Sequence, residues 1–260
     1  MVKKEFFYMK MVKNVLMGLA AIALVVSLTG CPKDDTEGAI KGAGKKWSVD
    51  YTNDGTENYR AYKATGANHA GGLVKVEFNK GATPGESKMG VIFGLESYKD
   101  ENKKSLRKFQ IIGLSETGNY YVSSYDKVAD IQAKNFGTDD GATEKEWVAL
   151  GAKTVKLSED TNGNKYTYVW YQAQIDGSYK WAIASMTDDQ ANAYDKTTGA
   201  LPAGATTLAS GDIKGAFVAV ADESKLPQHA ISVYAMIQPG KNLSGKWNII
   251  GAYKEAEDAE

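Results

Sequence analysis

The hydrophobic pattern of the chain has a dominant period of two. Between Leu73 and Asn79, Val74, Val76 and Phe78 alternate with Lys75 and Glu77, the signature of a strand with one buried and one wet face. Lys165 to Ile175 repeats this over a longer run. Tyr166, Tyr168, Trp170, Gln172 and Gln174 fall on one side, and Thr167, Val169, Tyr171, Ala173 and Ile175 on the other. Asp176-Gly177 then supplies a tight turn into Tyr179–Met186, so the two runs predict a hairpin.

Further strands are predicted at 46–51, 59–64, 90–95, 109–114, 120–123, 147–150, 153–157, 213–220, 229–237 and 247–253. Turn clusters punctuate them, among them Asn53-Asp54-Gly55, Thr117-Gly118-Asn119 and Asn162-Gly163-Asn164. The stretch Ala67 to Gly72, which holds His69, reads as a loop. Helix is scarce: Tyr125–Phe136 could make about three turns, and Asp188–Lys196 follows Thr187 with Gln190 three residues on, a capping-box pattern. Many short strands, glycine-rich turns and little helix predict an all-β, antiparallel two-sheet sandwich. Phe109-Gln110-Ile111-Ile112-Gly113 and Trp247-Asn248-Ile249-Ile250-Gly251 share a pattern, read as two similar core strands rather than a repeat.

The start of the chain breaks this period. Lys3, Lys4, Lys10 and Lys13 precede an apolar run from Val15 to Leu28, a charged region followed by a hydrophobic one. Fourteen residues at about 1.5 Å each cover about 21 Å, short of the roughly 30 Å hydrocarbon core. The segment is therefore read as a signal, residues 1–30. Leu28-Thr29-Gly30-Cys31 resembles the lipobox of bacterial lipoproteins, and Cys31 is the one cysteine of the chain. The resemblance implies cleavage before Cys31, a diacylglyceryl thioether on its sulfur, and a cell-envelope location on the extracytoplasmic side of a membrane, the outer membrane or cell surface in a diderm. Two or more acyl chains hold a protein stably where one does not. Residues 31–46, with Pro32 to Lys46 polar and glycine-rich, read as a flexible tether of about 20 Å, and residues 47–260 as a single β domain without a composition break.

Within that domain Gly90-Val91-Ile92-Phe93-Gly94-Leu95, Phe109 to Leu114 and Gly118-Asn119-Tyr120-Tyr121-Val122 are similar to the middle strands of concanavalin-like and laminin-G-like jelly rolls. That resemblance implies a sandwich with a face that binds glycans or protein ligands. Gly44-Lys45-Lys46-Trp47 resembles, with one residue too many, the opening G-x-W of lipocalins, whose alternative is a β-barrel carrying a small apolar molecule.

Composition narrows the chemistry. A net charge of −1, which loss of residues 1–30 lowers to −4, and only two arginines, Arg60 and Arg107, exclude a basic, arginine-forked nucleic-acid surface. Histidine is limited to His69 and His229, without a G-x-S-x-G elbow. No strand carries the paired carboxylates of a jelly-roll glycosidase, since Glu159 and Asp160 are adjacent and point apart, and Glu144 and Glu146 lie at a loop edge. The domain is thus expected not to be an enzyme; a hydrolase with unrecognised carboxylates is the alternative. Asp160, Asn162 and Asn164 set oxygens at alternate positions, as a calcium loop does, but Lys165 and Tyr171 stand where an EF-hand has Gly and Glu. A polar turn and a structural calcium site compete there, and no other cofactor is expected.

Aromatic residues carry the remaining signal. Tyr166, Tyr168, Trp170 and Gln172, with Tyr179 from the next strand, combine stacking rings with amide donors and form the expected contact surface for a glycan or protein ligand. Tyrosine and tryptophan also form and pair well in strands, so a structural role for the same residues competes.

Overall fold

The computed structural model describes residues 44–56, 59–81, 87–128 and 153–255. The expected signal, Cys31 with most of the expected tether, the expected strand at 147–150, Glu144 and Glu146 lie outside the described residues. Eleven antiparallel strands follow in chain order: β1 (Lys46–Thr52), β2 (Tyr59–Phe78), β3 (Ser87–Lys99), β4 (Ser105–Ser115), β5 (Tyr120–Val128), β6 (Ser158–Glu159), β7 (Lys165–Ala173), β8 (Tyr179–Ser185), β9 (Thr206–Ile213), β10 (His229–Ile237) and β11 (Asn242–Glu255). Among the described residues one short helix, α1 (Asp188–Asn192), and a single 3-10 turn at Glu223–Lys225 interrupt them. Among the described residues no helix is long and apolar enough to cross a membrane.

The strands form one hydrogen-bonded path, β5-β4-β3-β10-β2-β7-β8-β9, with β11 and then β1 added to the other edge of β2. Strand β2 is the hinge of this arrangement. Residues 59–69 pair with β10, whereas residues 71–78 pair with β7 and 69–78 with β11. A strand that changes partners midway turns the corner between two packed layers. One layer is β5-β4-β3-β10 with the first half of β2; the other is β1-β11, the second half of β2, and β7-β8-β9. Among the described residues the ends of the path, β5 and β9, do not pair, so the architecture is an open sandwich and not the closed lipocalin-like barrel.

The layers meet across one apolar core. Val91, Phe93, Ile112, Leu114 and Val233 from the first face Val74, Val76, Val169, Trp181 and Ile249 from the second. Phe93 stacks on Tyr171 with ring centroids 4.3 Å apart and meets Tyr179 edge-on at 5.2 Å. Both pieces of the shared sequence pattern are core strands, in β4 and β11.

Four expectations are corrected. The sequence from Ala67 to Gly72 is strand, not loop, because β2 runs unbroken through the corner. A Cβ on Gly71 would lie 2.8 Å from the Tyr171 backbone carbonyl oxygen, so the corner closes this tightly only with glycine there. Residues 213–220 were expected as strand, but beyond Ile213 they cross the β7–β8 turn, where Phe217 N–H donates to the Gly177 carbonyl and Val220 N–H to that of Ile175. Residues 153–157 form no named strand and contribute a single bridge from Thr154 to Asn119. Of the expected helix at 125–136, Tyr125–Val128 completes β5 and the rest lies outside the described residues. The other helix is present and its capping box is formed: Gln190 N–H donates to Thr187 Oγ1 at 3.2 Å, and Thr187 N–H to Gln190 Oε1 at 2.8 Å.

Candidate functional site

The outer face of the second layer has an apolar half and a polar half. The apolar half holds Leu73, Tyr168, Trp170, Ala182 and Ala184, beneath Ala191, Tyr194, Leu201 and Ala205 of the segment joining β8 to β9. Polar bonds pin that segment: Trp170 Nε1–H donates to the Gly199 carbonyl at 2.8 Å, and Gln172 Nε2–H to that of Thr198 at 2.8 Å. Tyr194 lies flat against Gly251, where a Cβ would sit 2.2 Å from its ring.

This placement revises the expected contact surface. Tyr166, Tyr168, Trp170 and Gln172 do share a face of β7, as the alternation predicts, but Tyr168 is fully buried and Trp170 is 8% exposed under the chain's own strap. Tyr179 is on the opposite face, buried in the core against Phe93, Tyr171 and Phe217. The five do not form one open platform. Their rings anchor structure, and Tyr166 and Gln172 alone of the set remain partly exposed.

The polar half is a groove of about 200 Å³ lined by Lys46, Lys75, Glu77, Lys246, Trp247 and Asn248. Strand register builds it. Lys46, Asn248, Lys75 and Tyr168 stand in one row across β1, β11, β2 and β7, and Ser48, Lys246, Glu77 and Tyr166 in the next. Neighbours in such rows have Cβ atoms about 4.5–5.5 Å apart, so their polar tips converge. The row is capped by α1: Lys75 Nζ lies 2.7 Å from Asp188 Oδ1, and the Tyr168 hydroxyl donates to the same oxygen. These donors, Lys75 foremost, hold the Asp188 carboxyl below its ordinary range, while burial and then Asp188 push the Tyr168 hydroxyl up. In the second row Lys246 Nζ pairs with Glu77 Oε1 at 2.7 Å. Lys75 Nζ also lies 4.4 Å from the centre of the Tyr166 ring.

Besides the buried Trp247 Nε1–H, which has no hydrogen-bond partner among the described residues, two groups in the groove are unspent. Lys46 forms no ion pair, and the Asn248 side-chain amide no hydrogen bond, among the described residues. Sequence reasoning missed both, although Lys75 and Glu77 are the wet positions of the first alternating strand.

The proposed calcium loop is a turn. The Asp160 carboxylate accepts from Asn162 N–H (2.8 Å), Asn164 N–H (2.9 Å) and Asn164 Nδ2–H (2.9 Å), and Asn164 Oδ1 accepts from Lys80 N–H. The Asn164 N–H first, then its side chain, keeps the Asp160 carboxyl low. The turn's own N–H donors thus occupy the Asp160 carboxylate, and no cluster of three His, Cys, Asp or Glu occurs among the described residues. Asp160→Ala should lower the melting temperature, and calcium or chelator should leave that of the parent unchanged. A calcium-dependent rise that the variant loses would restore the metal site.

No family model and no curated protein matches the chain. Among solved structures it is similar to carbohydrate-binding module CBM66 from Bacillus subtilis, at 8% identity and TM-score 0.34 over 80% of this chain and 94% of that one. It is also similar to a legume lectin-like domain from Entamoeba histolytica, at 11% and 0.36 over 80% and 87%. A third is the alginate lyase Aly36B in complex with an alginate tetrasaccharide, at 8% and 0.33 over 78% of each chain. Likeness this distant assigns no ligand and no activity.

Proposed function

We propose that the chain is a lipid-anchored cell-envelope lipoprotein whose β-sandwich binds a glycan, without cleaving it, in the groove between β1, β11 and β2. The observation that supports this reading is the pair Lys46 and Asn248. They are register neighbours in a groove of about 200 Å³, with donors that nothing in the described chain uses. Hydroxyl-rich ligands need convergent donors and acceptors of this kind, and Glu77 supplies an acceptor alongside. The non-catalytic part rests on the two carboxylates at the groove. Each is ion-paired with a lysine at 2.7 Å, and Asp188 is held low, whereas glycoside hydrolysis needs one carboxyl kept protonated.

A glycan-array screen of the purified full chain in detergent tests this. Binding is expected, and Asn248→Ala should weaken it about tenfold, the loss of one to two hydrogen bonds, with an unchanged melting temperature. A blank array from folded protein would rule the glycan reading out, in favour of a protein ligand or a structural envelope role.

A further inference from the structure

We infer that the glycan bound in the groove is an acidic one, whose carboxylate or sulfate groups sit between Lys46, Asn248 and Lys75. The inference rests on the glycan reading above and narrows it to a ligand class.

The aromatic inventory argues first. Neutral sugars are held largely by rings with a free face, and among the described residues this face of the sheet offers little of that kind: Trp247, which lines the groove, is 3% exposed. Tyr168 and Trp170 are covered by the strap, and one face of the partly exposed Tyr166 is taken by the Lys75 ammonium at 4.4 Å. Recognition therefore falls to the polar groups, and these are mostly cations.

Their arrangement argues second. The row Lys46–Asn248–Lys75 places three N–H donor side chains next to one another across three strands. Two of the groove's three lysines are balanced internally, Lys75 by Asp188 and Lys246 by Glu77, while Lys46 is not. The groove thus carries one surplus positive charge beside a free amide donor. An anionic group converts those contacts into charge-assisted hydrogen bonds, about twice as strong as those to a neutral hydroxyl. Asp188 is 67% exposed, at the rim, so the Lys75 ammonium, itself 15% exposed, can share its donors with an incoming anion without losing a buried partner.

The test compares three polymers against the full chain in detergent: polygalacturonate for carboxylate, dextran sulfate for sulfate, and dextran for a neutral chain. Binding to polygalacturonate or dextran sulfate and not to dextran is expected, with the stronger of the two identifying the anionic group. Affinity should fall as sodium chloride is raised from about 50 to about 500 mM, because salt screens the partly exposed pair. Lys46→Gln, which keeps a donor and removes the charge, should weaken binding about fivefold or more with the fold intact. Binding to dextran alone would overturn the acidic class and leave the glycan reading standing. Binding to none of the three, together with a blank array, would overturn both. Acidic-polymer binding that Lys46→Gln leaves unchanged would overturn the placement.

Discussion

Replacing Trp170 with alanine is expected to cost about 3–5 kcal/mol of folding stability, the range for removing a large buried aromatic. The Trp170 ring lies in the row Leu73–Trp170–Ala182, with the strap above it, and its Nε1–H is the buried donor to the Gly199 carbonyl. Removal leaves a cavity between sheet and strap and an unpaired carbonyl. Trp170→Phe keeps most of the ring and loses the donor, so it should cost about 1–3 kcal/mol. Urea denaturation gives both values. Trypsin gives an independent readout, because exposed Lys196 lies within the strap and should become a fast cleavage site in Trp170→Ala. If Trp170→Ala instead kept full stability and lost ligand binding, the ring would be a contact residue and its burial here would not describe the working state.

That contrast shows where sequence reading succeeds and where it stops. The alternation along β7 correctly divides its side chains between two faces, because the period of a strand is a local property. What covers each face is not local. The aromatic-and-amide face of β7 reads as wet, yet it is covered by a segment that follows β8, and the signal for that cover is only the short capped helix after Thr187. The same limit hides the groove. Lys46, Lys75 and Asn248 are separated by up to 202 positions (248 − 46), and only the pairing of β1 with β11 and of β11 with β2 brings them into a row. Glycine misleads in the other direction. Ala67 to Gly72 reads as a loop, whereas its Gly71 and Gly72 let β2 pass a crowded corner. Turns with local chemistry are legible: Asn162-Gly163-Asn164 forms its hairpin with Gly163 at φ +83° and Asp160 as acceptor, and the choice between turn and calcium rested on where the carboxylate points.

At that corner lies the second large effect, a loss of stability in mild acid that His69 should account for. His69 is 2% exposed, and neither ring nitrogen has a hydrogen-bond partner. Burial, with a smaller contribution from Lys45, lowers its pKa from 6.5 to about 4. The sign follows from which state binds more protons. Between pH 6.5 and about 4 the unfolded chain protonates this imidazole and the folded chain does not, so the stabilisation is complete above pH 6.5 and is lost as pH falls toward 4. With partial solvent screening the loss amounts to about 2 kcal/mol. Other groups act in the same window. His229, the cross-strand partner of His69, is also lowered by burial and adds to the slope, whereas Glu116, raised by burial, opposes it. Asp160, Asp176 and Asp188 have carboxyls held low, so their stabilisation is lost only at pH values below the ordinary 3.8. The measurement that isolates His69 is therefore a difference: denaturation curves at pH 7.5, 6 and 5 (values of about the imidazole range) for the parent and for His69→Leu. Leucine fills the site without a titrating group, so the variant should show a shallower decline, and the gap between the two slopes belongs to His69 because every other group is common to both. Parallel slopes would mean that the imidazole finds a proton-accepting partner or water on folding, and that the β2 corner is not what limits this fold in acid.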